Sequence, residues 1–361
     1  MNGLYVGEES AEAYGYPAVG RYFQGDRSKP LIVFVPGAHH NARIAYGGHE
    51  GSRVEDFLAH WITKLRYNFL AISYPIATAS GFMSGLPAPG FSAQMWGQQI
   101  AELASSAILR HKLTGPVVLL SWSMGGKAVQ PAFKAATSMG LTVAGAISMM
   151  ATPGIPGLSP QIELKKSAVG YADRSVDYSK WIRQLMEVNR INQGREIIPE
   201  RTYLADYVGD IPVGLEGLGE VYKNGAYQFD SIQQANDYGA FEFADYPLVA
   251  VLANDGRLDY EHVVMDANWW SIYNAQTLLS LLRRSGNEPS RFDDGQWRRL
   301  RELSVNIRER LVIPIEGNHF AFVGEHGASR VALAIDQAVS GLESIYHSIA
   351  SFCNVSKIGR H

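Results

Sequence analysis

The 361-residue sequence predicts an α/β fold, a mostly parallel, doubly wound sheet carrying one large insertion. Three observations predict it. Short apolar, β-branched runs alternate with longer stretches of helical periodicity, the pattern of a sheet covered by helices on both faces. One run ends in a serine set among small residues and passes at once into a helical segment. Between residues 154 and 245 the alternation gives way to a stretch rich in tyrosine, glycine and charge, and strand character then returns.

In chain order, residues 31–35 read as a short buried strand stopped by Pro36-Gly37. Residues 54–65 carry Phe57, Leu58, Trp61, Ile62 and Leu65 at helical spacing. Residues 68–73 are the next strand, stopped by Pro75, and 93–113 read as a long helix. The apolar run from Pro116 to Trp122 is a strand, and 127–139 a helix. Residues 142–150 form another strand, stopped by Pro153 and Pro156. Residues 154–245 hold only local helical patches such as 178–188. So long a loop is rare in a compact domain without a function, so the segment reads as an inserted cap rather than surface loops. The core is then residues 1–153 and 246–361. Residues 247–253 and 311–315 are the last strands. Residues 266–308 hold two amphipathic helical segments broken at 285–290, and 330–350 close the chain as a helix. No internal repeat is visible.

Composition excludes several function classes. The length fits one domain with an insertion better than two equal domains, and 46% apolar residues supply a sizeable core. A net charge of −3 without a lysine/arginine block speaks against nucleic acid or an anionic membrane surface as partner. Residues 1–25 mix Glu8, Glu9 and Glu12 with glycine and tyrosine, unlike a signal peptide. No apolar run approaches the ~20 residues of a membrane span. The lone Cys353 cannot form an intrachain disulfide, which favours a reducing compartment. The expectation is a soluble cytoplasmic protein acting on a small molecule, with a homo-oligomer left open.

The chemistry centres on Ser121-Trp122-Ser123-Met124-Gly125. A strand, one strained turn carrying a nucleophile, then a helix is the nucleophile elbow. Small residues two positions either side of Ser123 fit a turn too tight for bulk, and the helix N-terminus behind it presents N–H groups to an oxyanion. A serine hydroxyl is a poor nucleophile near neutral pH and needs a histidine oriented by a carboxylate. In the order Ser…Asp/Glu…His, the histidine follows the last strand and the acid a late one. His319, in Gly317-Asn318-His319, stands in the first place, and the rival His326 lies too far past the strand. For the acid, Asp255 comes straight off the strand 247–253 and is preferred, with Asp259 competing. An oxyanion hole needs two N–H groups: Met124 supplies one, and the loop Pro36-Gly37-Ala38-His39-His40 the other, from Ala38 with His39 second. His39, His40 and His49 invite a metal reading, rejected because adjacent histidines point differently and no Asp/Glu/Cys set joins them at ligand spacing.

On these residues the chain resembles an α/β-hydrolase, in the branch with Ser-Met-Gly-Gly at the elbow and an inserted cap, over roughly residues 31 to 350 outside 154–245. The resemblance implies Ser123 as nucleophile, His319 as base, Asp255 as acid, and Ala38 and Met124 as oxyanion donors. It departs from the family pattern at Ser121, which replaces the first elbow glycine, and at Pro36, which replaces a histidine. The segment between Asp255 and His319 is also longer than a single helix. The implied activity is a serine hydrolase with no cofactor and no metal, acting on a carboxylic ester or lactone. Amidase, thioesterase, acyltransferase or C–C bond hydrolase chemistry on the same triad, or a non-catalytic binder keeping the fold, are the alternatives. His39, Trp122, Tyr178 and Trp181 are the expected substrate contacts. Together with Tyr171, Tyr203, Tyr207, Tyr222, Tyr227 and Tyr238, the cap aromatics suit a medium-sized aromatic or cyclic molecule.

Overall fold

The computed structural model describes residues 3–83, 87–155 and 163–352; Pro156 and Cys353 lie outside the described residues. A hairpin opens the chain. β1 (Glu9–Ala13) turns through Tyr14 and Gly15, at φ 51° and 75°, into β2 (Tyr16–Phe23), the left-handed pair that a two-residue turn between twisted strands uses. Then come β3 (Leu31–Val35), α1 (Leu58–Lys64), β4 (Asn68–Ser73), the short β5 (Ala77–Thr78), α2 (Ala93–His111), β6 (Val117–Trp122), α3 (Val129–Ser138) and β7 (Val143–Met149). The 154–245 segment contributes β8 (Lys165–Lys166), β9 (Tyr171–Asp173), α4 (Tyr178–Ile191), α5 (Glu200–Thr202), β10 (Gly209–Pro212), β11 (Glu220–Lys223), β12 (Ala226–Phe229) and α6 (Ser231–Asp237). β13 (Val249–Ala253), α7 (Tyr260–Arg284), α8 (Asp294–Leu311), β14 (Val312–Pro314) and α9 (Glu325–Phe352) complete the order.

Eight strands make one sheet in the order β1-β2-β4-β3-β6-β7-β13-β14. β2 pairs antiparallel with both its neighbours, and the other pairings are parallel. All residues of β3, β4 and β6 are buried, because helices cover both faces and leave no wet side. Alternation splits each strand between two cores. Ile32, Phe34, Val118 and Leu120 pack with Leu58 and Ile62 of α1 and Ile335 of α9. Leu31, Val33, Val35, Val117 and Leu119 pack with Trp96 and Ile100 of α2 and Val129 of α3. α2 and α3 approach closely: a Cβ on Gly97 would lie 2.4 Å from the Pro131 carbonyl carbon.

The structure departs from expectation in several places, the strands β2 and β5 and those within 154–245 among them. β1 was not foreseen, because Glu9-Ser10-Ala11-Glu12 lies on the sheet edge with its side chains largely exposed and carries no apolar run. The helix expected over 54–65 is split: a 3-10 turn at Val54–Asp56 ends where Phe57 bridges to Val323 in extended geometry, and α1 starts after it. The helix expected from Lys127 begins as a 3-10 turn at Ser123–Ala128 and becomes α at Val129. The last strand has three residues, since Leu311 ends α8. Within 154–245, β10, β9 and β8 form a four-stranded sheet with β5, and β11 and β12 a separate hairpin. Among the described residues, no helix is long and apolar enough to cross a membrane.

Candidate active site

β6 delivers Ser123 to the C-terminal edge of the sheet at φ 55°, a left-handed conformation that costs a non-glycine residue energy and persists only where the surroundings impose it. The surroundings are tight. A Cβ on Gly125 would lie 2.7 Å from the Val35 carbonyl oxygen, on Gly126 2.1 Å from that of Thr152, and on Gly37 2.7 Å from the Ser123 Cβ. Ser123 itself is half-buried. Ser121, which fills the place of the first elbow glycine, is 1% exposed, and its hydroxyl meets no hydrogen-bond partner among the described residues. Met124 is the second residue of the 3-10 turn, where helical bonding leaves an N–H unpaired. The loop carrying Ala38 abuts the serine through Gly37, whose carbonyl accepts a 2.7 Å hydrogen bond from the Tyr74 hydroxyl.

His319 follows β14 by way of Gly317, at φ 118°. Two bonds fix its neighbours: the Trp122 indole N–H donates to the His319 carbonyl (2.9 Å), and the Asn318 amide donates to Gln184 and Glu187 of α4. Its Nδ1 lies 3.0 Å from Asp259 Oδ1. The carboxylate sits at ion-pair distance but off the line of the ring N–H, an alignment that catalytic groups commonly tighten on binding substrate. Asp259 also accepts from the Asn254 amide at 2.8 Å. Burial pushes the Asp259 carboxyl up, but the His319 and His262 rings and the Asn254 amide outweigh it and hold it below its ordinary value.

The preferred acid is thereby corrected: it is Asp259, and not Asp255, that faces His319. Strand alternation explains it. Leaving β13, Asn254 turns inward and Asp255 outward, where its exposed carboxylate accepts from the Gly317 N–H at 2.9 Å. A 3-10 turn at Arg257–Asp259 then brings Asp259 back beneath the histidine. Asp255 thus braces the loop that carries His319. His326, the rival, is placed on the first turn of α9, its backbone N–H bonded to Asn192.

Two expected substrate contacts are also corrected. Trp122 has no exposed surface and packs against His319, His40 and Phe320, so it supports the site from below. His39 is fully buried, with Nδ1 2.9 Å from the Gly209 carbonyl and Nε2 2.6 Å from Glu216 Oε1. Trp181 is half-buried against both loop histidines (6.1 Å from His39, 4.7 Å from His40), with the Tyr178 ring 5.6 Å from its own. His40 Nδ1 donates to the Ala38 carbonyl and Nε2 accepts from the Tyr203 hydroxyl, both at 2.7 Å. Burial above all pushes its pKa down to about 3. His49 Nδ1 lies 2.5 Å from the Tyr207 hydroxyl.

Sequence reasoning missed a second His–Asp pair. His262 Nδ1 lies 3.1 Å from Asp266 Oδ1, and its ring is 4.9 Å from that of His319. Burial lowers the His262 pKa, but Asp266, Asp259 and Glu261 outweigh it and raise it. The i, i+4 spacing of His262 and Asp266 on one helix face was the available signal. Among the described residues, Asp259, His262 and His319 are the trio that could hold a metal ion, their donor atoms within 4.8 Å of one another.

No family model and no curated protein matches the chain. Among solved structures it is similar to a hydrolase from Pseudomonas aeruginosa PA01 (12% identity, 96% of this chain and 98% of that one, TM-score 0.49). It is similar also to a thermophilic esterase from Thermogutta terrifontis (13%, 93% and 98%, 0.45) and a soluble variant of monoglyceride lipase from Saccharomyces cerevisiae (9%, 92% and 94%, 0.46). The strand order with β2 alone reversed, and the strained serine between β6 and α3, are those of the α/β-hydrolase fold, and that is the fold of this chain.

Proposed function

We propose that the chain is a serine hydrolase that cleaves a carboxylic ester or lactone through an acyl-enzyme on Ser123. The observations that carry this reading are the Asp259–His319 pair, 3.0 Å apart, and a half-buried serine held at positive φ whose chain neighbour Trp122 donates to the His319 carbonyl. Ser123 Oγ attacks the substrate carbonyl carbon while His319 Nε2 takes its proton. Asp259, unprotonated, stabilises the imidazolium and keeps the other ring proton on Nδ1. The Met124 and Ala38 N–H groups hold the oxyanion. As the tetrahedral adduct collapses, His319 protonates the departing alkoxide. A water then gives its proton to His319 and attacks the acyl carbonyl, and the acid leaves with Ser123 restored. Residues 154–245 act as a cap over the nucleophile, with Tyr178 selecting a medium-sized, aromatic or cyclic acyl or alcohol group.

A fluorophosphonate tests the reading directly. The purified chain takes one covalent label, and Ser123→Ala takes none while keeping its circular dichroism spectrum. Labelling that persists in Ser123→Ala refutes the assignment. Across aryl esters, alkyl esters, lactones and anilides, turnover is expected to favour the first and third. Preference for the anilides would make the chain an amidase instead.

A further inference from the structure

Glu216 belongs to the 154–245 segment, far in sequence from the elbow and the Gly37 loop, yet it touches both. It is 3% exposed, and its Oε1 lies 2.6 Å from His39 Nε2, next in sequence to Ala38. The other nitrogen of that ring faces the Gly209 carbonyl, so both nitrogens meet acceptor oxygens. Oε2 is 3.4 Å from Arg174 Nη1. The Glu216 backbone carbonyl, with that of Leu215, accepts from Lys127 Nζ at 2.7 and 3.0 Å. Lys127 lies on the same 3-10 turn as Met124. The approach is close, and a Cβ on Gly217 would lie 2.5 Å from Lys127 Nζ. Burial raises the Glu216 carboxyl pKa, but the charge and hydrogen bond of His39, with Arg174 and Lys127, pull it below the ordinary value. The carboxylate is therefore ionised and out of water, where one missing partner is costly.

We propose that Glu216 is a positioning residue for the oxyanion hole. Its side chain fixes the loop that carries Ala38 and its backbone fixes the turn that carries Met124, so that one residue of the inserted segment sets the spacing of the two N–H donors. The inference rests on the hydrolase reading above. His39 sits at φ 59°, a conformation that a loop without such an anchor has little reason to keep.

The test is Glu216→Gln, which keeps size and an acceptor oxygen but removes the charge. A displaced donor costs on the order of 10²-fold in kcat, and KM is expected to stay within about threefold because the loss falls on the transition state alone. Affinity for a boronic acid, whose tetrahedral adduct on Ser123 uses the same donors, is expected to fall in parallel. A merely structural role would lower the melting temperature and leave kcat and boronate affinity of the folded protein unchanged, and that result overturns the proposal. Lys127→Met loosens the other half of the clamp and is expected to lower kcat in the same sense. If Glu216→Gln does not fold, a folded Lys127→Met with unchanged kcat overturns the proposal. Failure of both to fold makes the junction a folding requirement, which overturns it as well. If the unaltered chain takes no fluorophosphonate, it is the hydrolase reading that fails. A labelled chain in which Glu216→Gln behaves as the parent fails this inference alone.

Discussion

Replacing Asp259 by asparagine separates the carboxylate that faces His319 from the one that braces its loop. Asp259 Oδ1 and His319 Nδ1 are 3.0 Å apart. For an imidazolium beside a carboxylate at an effective dielectric of about 20, that distance corresponds to about 5.5 kcal/mol, or about 10⁴ in rate if the interaction exists in the transition state alone. Geometry adds to the electrostatic loss. The Asn254 amide donates to Asp259 Oδ2, so the new amide keeps its oxygen there and turns its NH₂ toward His319. The ring then carries its proton on Nε2 and cannot accept one from Ser123. A loss near 10⁴ has this double origin in known triads. Asp255→Asn keeps an oxygen for the Gly317 N–H and changes an exposed group, so its cost is expected to be less than about tenfold. The assay is kcat/KM on an activated aryl ester, with circular dichroism on each variant. If Asp255→Asn loses more than Asp259→Asn while both are folded, the reasoning from strand alternation and contact distance is wrong.

Three further variants probe the surroundings. Ser121→Ala removes a buried hydroxyl without a protein partner and is expected to raise stability by about 1 kcal/mol with turnover unchanged; a lower melting temperature would reveal a partner for the hydroxyl. His40 is held neutral in the fold, with a pKa of about 3, against about 6.5 unfolded. Between those values the unfolded chain binds the extra proton, so stability falls with falling pH. This group alone removes about 2 kcal/mol between about pH 7 and about pH 5. His40→Gln is expected to flatten that slope in urea unfolding, and parallel slopes would contradict the buried neutral ring. Tyr178→Ala, which removes the ring 5.6 Å from that of Trp181, is expected to change KM between aryl and alkyl esters more than kcat on a small ester; uniform loss on both would count against a substrate-selecting cap.

How much of this was legible in the sequence depends on the range over which each feature is decided. β3, β4 and β6 are buried on both faces, so their residues are uniformly apolar and the strands can be read without their neighbours. β1 lies at the edge with charged side chains in solvent and carries no apolar run to announce it. The elbow was legible because a strand, a small-residue turn and a helix are consecutive in the chain. The carboxylate that faces His319 was not, because a two-residue preference for the strand end competes with a turn that returns Asp259 four residues later. Contacts such as His39 with Gly209 and Glu216 join residues 170 and 177 positions apart, and no local pattern encodes them.

The backbone points to the same place by another route. Eight described non-glycine residues have positive φ. Five of them, Tyr14, Arg66, Lys112, Gln193 and Asn224, are exposed, at turns and helix ends where a left-handed residue closes the chain cheaply. His39, Ser123 and Met150 are not exposed, and they follow β3, β6 and β7, adjacent strands in the sheet, at their C-terminal ends. At about 1–2 kcal/mol each, these conformations are costs that nothing local requires. Two of them are held by named neighbours: Ser123 by Gly37 and the Val35 backbone against its turn, His39 by Gly209 and Glu216. Local preference fails where the fold imposes a geometry that the chain would not adopt alone, and strain of that kind gathers at functional sites. Three such outliers, two of them buried and one half-buried, therefore lie at one edge of the sheet. Ser123 offers its hydroxyl there, and His39 turns the Ala38 loop toward it.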